Sequence, residues 1–327
     1  MKIKNASLRL RLILLGFGVV IIAALIVFLV FKEPPRQFVD ADFDTKVVRP
    51  AYTNEHPKVL FDEAHHNIHT ASGLYSPFAN LITNDGYQVV RNKEPFSRKT
   101  LEGYSVLVIA NALGANDSND GPAFTDEESD AVRDWIQAGG ALLLITDHAP
   151  TGAAAENLAK RFGVEMSKGM TEDSKNHDDS SGDPSQLIFA AENGLLAEHP
   201  ITQGRDTSEK VNKVMTFTGQ SLKASESGTA FLKLGDSAMN RAASVKVEKS
   251  GSDTRVLINY GEPEPAKGYA QAVALQFGKG RVVILGEAAM LTAQLDGKTK
   301  KPFGMNVQGI DNRQLALNIM HWLSKIL

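Results

Sequence analysis

Two runs of five residues, VLVIA at 106–110 and ALLLI at 141–145, carry no polar side chain. A strand with one face in water alternates apolar and polar residues, whereas a strand covered on both faces is apolar throughout. Between the two runs lies TDEESDAVRDWIQAGG. There Thr125 and Glu128 have capping-box spacing, Val132, Trp135 and Ile136 form one buried stripe, and Gly139 ends the helix. Two covered strands joined through a helix predict a parallel sheet with helices on both faces.

The alternation begins at Lys58. KVLFD reads as a strand, SPFANLITNDG as a helix capped by Ser76 with Pro77 at its first position, and YQVVRN as the next strand. A further helix is expected at 152–162. Near the end, YAQAVALQFGKGRVVILGE reads as two strands joined by a glycine-containing turn. DNRQLALNIMHWLSKIL reads as a closing helix capped by Asp311, with Leu315, Ile319, Trp322 and Ile326 on the sheet. Residues 165–265 are less regular, including the polar, turn-rich TEDSKNHDDSSGDPS, and form an elaboration on a domain spanning 57–327.

Ahead of this domain, residues 12–31 form an uncharged apolar run, LILLGFGVVIIAALIVFLVF, roughly 30 Å long as a helix. Lys2, Lys4, Arg9 and Arg11 precede it without an acid, so residues 1–11 are expected in the cytoplasm, with the chain anchored once in the membrane and the large domain outside the cytoplasm. Residues 32–56, with EPPRQ and VRPAYTNEHP, read as a linker.

The chain is 43% hydrophobic and 22% charged, a composition that can bury a core. It contains no cysteine, which removes disulfides, thiolate ligands and a cysteine nucleophile. Of its 35 basic residues four precede the apolar run, leaving 31 against 38 acidic ones, a balance that excludes a nucleic-acid partner.

Ligands in open parallel sheets bind beyond the carboxyl ends of the strands. Three expected strands end in ionisable groups. VLF runs into Asp62, Glu63, His65, His66 and His69, LLLIT into Asp147 and His148, and VVILG into Glu287. Two chemistries suit this set. His65, His66 and His69 are candidate ligands for a divalent metal such as zinc, manganese or iron, with Glu287 or Asp147 taking a proton from metal-bound water. Without a metal, His148 is the base, with Asp147 or Glu287 holding its tautomer. Asp62 and Asn67 beside them, and Asn306, Asp311, Asn312 and Arg313 in the loop before the last helix, are candidate ligand-binding groups.

DEAHHN after the first strand, FTDEESDAVRDWIQAGGALLLITDHAP and GKGRVVILGEAAM together resemble the DUF4350 group of class I glutamine amidotransferase-like domains, related to the gliding-motility and intraflagellar-transport (GIFT) domains. The resemblance covers about residues 60–327 and is loose in the middle. It implies a flavodoxin-like three-layer α/β sandwich with a mostly parallel sheet. The amidotransferases use a cysteine on a strand-to-helix turn, whose nearest equivalent here is ITDHAPTG, so their glutamine hydrolysis is excluded. Relatives of this kind imply binding of a small-molecule or glycan ligand, or service in a membrane transport complex. Two readings follow: a hydrolase-like enzyme with a His/Asp/Glu site, and a non-catalytic ligand-binding or transport-accessory module.

Overall fold

A computed structural model describes residues 36–113, 121–224, 226–250 and 253–327. In chain order its elements are β1 (Gln37–Val39), β2 (Lys58–Asp62), α1 (Ser76–Asn84), β3 (Gln88–Asn92), α2 (Arg98–Leu101), β4 (Val106–Ala110), α3 (Asp126–Gln137) and β5 (Ala141–Ile145). Then come α4 (Thr151–Ala154), α5 (Glu156–Lys160), β6 (Glu165–Met166), β7 (Met170–Asp173), β8 (Ile188–Ala190), α6 (Pro200–Gln203), β9 (Lys213–Met215), β10 (Leu222–Lys223) and β11 (Thr229–Lys233). The chain closes with β12 (Ala238–Ser250), β13 (Asp253–Pro265), β14 (Ala270–Phe277), β15 (Gly280–Leu285), β16 (Ala293–Asp296), β17 (Pro302–Gly304) and α7 (Asn312–Leu323).

The main sheet runs β3-β2-β4-β5-β15-β14-β10-β6, with β11 also on β14. Its left half is parallel: β3, β2, β4, β5 and β15 all point the same way. Side chains alternate across these strands, so Val59, Phe61, Val108, Leu143 and Ile145 pack with α1 and α7 on one face, while Leu60, Leu107, Ile109, Leu142 and Leu144 pack with α3 and α5 on the other. The two layers of helices explain why the strands needed no polar residue.

Several expectations are corrected. The sheet is mixed, because the two-residue turn at Gly278 and Lys279 reverses the chain and makes β14 antiparallel to β15, with β10, β11 and β6 continuing antiparallel beyond it. The apolar run at 12–31 lies outside the described residues, and among the described residues no helix is long and apolar enough to cross a membrane. The expected mostly parallel sheet with a transmembrane anchor, and the extracytoplasmic placement built on it, give way to a mixed sheet with helices on both faces and no membrane-spanning helix among those residues.

The stretch read as a linker is also docked from residue 36 onward. β1 pairs with β16, and Phe43, Val47 and Tyr52 pack on the core. Helix α1 starts after Tyr75, and neither it nor α7 has a side-chain cap. Asp311 instead accepts the N–H groups of Asn212 and Lys213 at 2.7 and 3.1 Å. The helix expected at 152–162 is the shorter pair α4 and α5. The elaboration contains a long β12–β13 ribbon, tied to the body through β7 at Ala238–Arg241.

Candidate functional site

The strand order places the topological switch between β2 and β4, since the chain moves from β2 outward to β3 and then returns to β4 on the other side. The DEAHHN loop fills that crevice. Ile68 N–H donates to Asn111 O at 3.0 Å, Leu113 N–H to His65 O at 3.0 Å, and the Asn67 amide to Ala110 O at 3.4 Å.

Inside the plug, His65 lies between two carboxylates. Nδ1 is 2.9 Å from both oxygens of Asp62, and Nε2 is 2.9 Å from Glu128 Oε1. A ring with an acceptor at each nitrogen must donate from both, which is the imidazolium form. Burial works against that charge, but Asp62 and Glu128 outweigh it and raise the His65 pKa. Asn67 and Asn92 also donate to Asp62, at 3.0 and 3.2 Å. Glu128 accepts the N–H groups of Thr125 and Phe96 at 2.9 and 3.1 Å. Phe96 and Phe124 flank the ring, with centroids 4.6 and 4.8 Å away. The capping-box acid of α3 is therefore also an ion partner from another element.

The other two histidines of the cluster diverge from this one. His66 is exposed, in a left-handed backbone conformation with φ of 51°, at the edge of a cavity of about 440 Å³ lined by Pro95, Pro122, Phe124 and Glu128. His69 is buried against Tyr75, with ring centroids 5.0 Å apart. Burial depresses its pKa to about 4, so its ring is neutral at physiological pH. Both nitrogens of His65 are occupied and the three rings do not converge. Among the described residues no group of three or more His, Asp and Glu could hold a metal ion.

What converges is Asn111, Asp147, His148 and Glu287, at the ends of β4, β5 and β15. β15 runs parallel to β5, so Glu287 and Asp147 leave the sheet on the same rim. Burial raises Asp147 to about 6, against the opposing pull of His148, its backbone N–H at 2.7 Å, the Asn111 amide and the Ala288 N–H. Glu287 is fully buried, and burial together with the Asp147 charge pushes it well above the usual carboxylate range. It also accepts the N–H groups of Ala289 and Met290 at 2.6 and 2.8 Å, which fixes the short turn Ala289–Leu291. Tyr75, whose hydroxyl donates to Ala288 O at 2.6 Å, closes the floor.

His148 stands at the mouth of this pair, its side chain 36% exposed. Its Nδ1 lies 2.8 Å from Ala149 O, and a carbonyl only accepts, so Nδ1 carries a proton and Nε2 is the basic nitrogen when the ring is neutral. The backbone, not Asp147 or Glu287, sets this tautomer. Nε2 lies 3.9 Å from Asp147 Oδ1. Tyr260, reaching in from the ribbon, places its hydroxyl 3.4 Å from Nδ1.

The four candidates expected in the loop before the last helix are engaged elsewhere, and two of them, Asn312 and Arg313, open α7 itself. The Asn306 amide donates to Asp40 and Gln294 O, Asn312 exchanges bonds with the backbone of Met215, and Arg313 donates to Lys46 O at 2.7 Å. With Asp311, they fasten the N-terminal segment and β9 to α7. The sequence pattern does not single out Asn111, Tyr75 or Tyr260, and it marks Glu128 only as a capping-box acid. Asn111 directly follows a strand assigned correctly, and that position was its only signal.

No family model and no curated protein matches this chain. Among solved structures, a ThuA-like protein from Parabacteroides merdae aligns at 11% identity and a TM-score of 0.42, over 83% of this chain and 90% of that one. The cytoplasmic protein STM1381 from Salmonella typhimurium LT2 aligns at 15% identity and a TM-score of 0.48, over 81% and 99%. The mmIFT52 N-terminal domain aligns at 12% identity and a TM-score of 0.55, covering 82% of this chain and 97% of that domain, a likeness of fold.

Proposed function

We propose that the chain is a hydrolase-like enzyme whose general base is His148, backed by the acidic pair Asp147 and Glu287. The observation that carries the reading is an accessible imidazole of fixed tautomer directly in front of a partly buried carboxylate. Nε2 takes a proton from water as the hydroxide attacks the substrate. The Asp147 carboxylate holds the resulting imidazolium, which then returns the proton to the leaving group. Two acids and no Lys or Arg ion pair to either among the described residues make the rim a poor receiver of phosphate or sulfate esters. The finer kinship to DUF4350 and GIFT domains rests on the three sequence segments that suggested it.

A panel of p-nitrophenyl esters and glycosides tests the proposal. Turnover should fall by about 100-fold or more in His148→Ala, and kcat/KM should rise as pH passes about 6 and Asp147 ionises. Turnover that survives both His148→Ala and Asp147→Asn would place the chemistry elsewhere. Saturable glycan binding with no turnover would favour the non-catalytic module.

A further inference from the structure

The Asp147 charge raises the Glu287 pKa, yet among the described residues the hydrogen bonds the two acids accept come from neutral groups. Asp147 accepts the His148 N–H at 2.7 Å, with the Asn111 amide and the Ala288 N–H also favouring its charge, while Glu287 accepts the N–H groups of Ala289 and Met290 at 2.6 and 2.8 Å, with the Phe217 N–H favouring its charge. Among the described residues the one ionisable group paired with either is the partly exposed His148 ring, 3.9 Å from Asp147. A second, independent observation sits on the same cluster. Asn111 is 3% exposed and holds a left-handed backbone with φ of 48° at the end of β4. Its side-chain amide favours the Asp147 charge, while its Oδ1 is buried without a donor among the described residues. A buried amide oxygen left unpaired is destabilising, and one beside two acids that burial keeps from ionising readily marks a place where a donor with positive charge belongs.

We propose that this rim binds a protonated primary amine of the substrate, its ammonium group donating to Asn111 Oδ1 and to the Asp147 carboxylate. A metal ion would need more ligands than the described residues bring to one point. A neutral hydroxyl would satisfy Asn111 but would not favour the charged form of either acid. The charges also close during reaction. With the ammonium bound, both carboxylates can ionise, and the imidazolium formed at His148 supplies the second positive charge. The chemistry of this step rests on the hydrolytic reading, whereas the binding does not.

Ethanolamine hydrochloride, ethylene glycol and sodium chloride at matched ionic strength are the probes, read by thermal denaturation at pH 7.5. Ethanolamine should raise Tm saturably while the neutral glycol and the salt do not. Its apparent affinity should fall at least tenfold in Asp147→Asn, an isostere, and in Asn111→Gly, which tolerates the left-handed backbone. An equal response to glycol, or an unchanged response in Asp147→Asn, overturns the proposal. Two anilides separate it from the hydrolytic reading, with glycine p-nitroanilide expected to be cleaved at least tenfold more efficiently than p-nitroacetanilide. Cleavage of both at equal kcat/KM overturns the amine site and keeps the hydrolase, whereas ethanolamine binding without cleavage of either does the reverse.

Discussion

Asp147 has lost most of its water, has a second acid for a neighbour, and is held charged only against its own preference. Its pKa rises from 3.8 to about 6 on folding, so the native state binds the proton more tightly than the unfolded chain. Stability must therefore fall as pH rises from about 3.8 through 6, the reverse of an ion-paired carboxylate. Asp147→Asn should gain on the parent protein across that range, by on the order of 1–3 kcal/mol once pH exceeds 7. Urea melts at pH 4 and pH 7.5 check this, and a constant difference between the two would mean that Asp147 is not strained. Residues like this one could be read from the sequence because they follow apolar runs whose direction was clear. His65 could not be placed the same way, because its second partner lies 63 positions away on another element.

Three elements meet through that ring: the loop after β2, the turn after β3 carrying Phe96, and the first turn of α3. Two opposite titrations bound the contribution of the triad. The raised His65 pKa gives stability that is complete below about 6.5 and is lost as pH rises through the folded value. Burial works against the Glu128 charge, but the Thr125 N–H and His65 hold its pKa low, giving stability present above about 4.5 and lost as pH falls through its folded value. His65→Gln should therefore cost about 3 kcal/mol near pH 6 and less at pH 9, as measured by denaturant midpoints. A cost that is flat with pH would show that the ring is neutral in the fold. The Thr125–Glu128 box is a local pattern and was visible in the sequence, as was the β14–β15 hairpin. The caps expected from Ser76 and Asp311 were not formed, because long-range packing took priority over local chemistry: Asp311 is spent on β9, and α1 begins after a buried Tyr75.

Across the molecule, the first and last described segments are locked together at one buried spot. Asp85, at the end of α1, accepts the Ala51 N–H at 2.8 Å and faces His321 Nε2 of α7 at 2.7 Å. Next to it, Gly86 adopts φ of 101°, and a Cβ there would meet Tyr52 O at 2.0 Å. Gly86→Ala should lower stability by several kcal/mol, about 3 or more, through both backbone strain and collision with the docked N-terminal segment. Deleting residues 1–57 from that variant should recover part of the gap between it and the equally truncated parent, since the colliding atom is then gone. If the gap is unchanged, the segment is not docked there. Nothing in the sequence pattern announces this contact: VRPAYTNEHP lacks periodicity, and a segment held by single side chains and one short strand has no period to show.

The central strand β5 has β4 on one side and β15 on the other, yet β5 ends at Ile145 and β15 begins only at Gly280. During synthesis the sheet must wait with an open apolar edge while the whole ribbon-bearing elaboration leaves the ribosome. Glu287 arrives with β15 itself, so a nascent chain lacks the rim, and any activity it would carry, until the closing hairpin has been made.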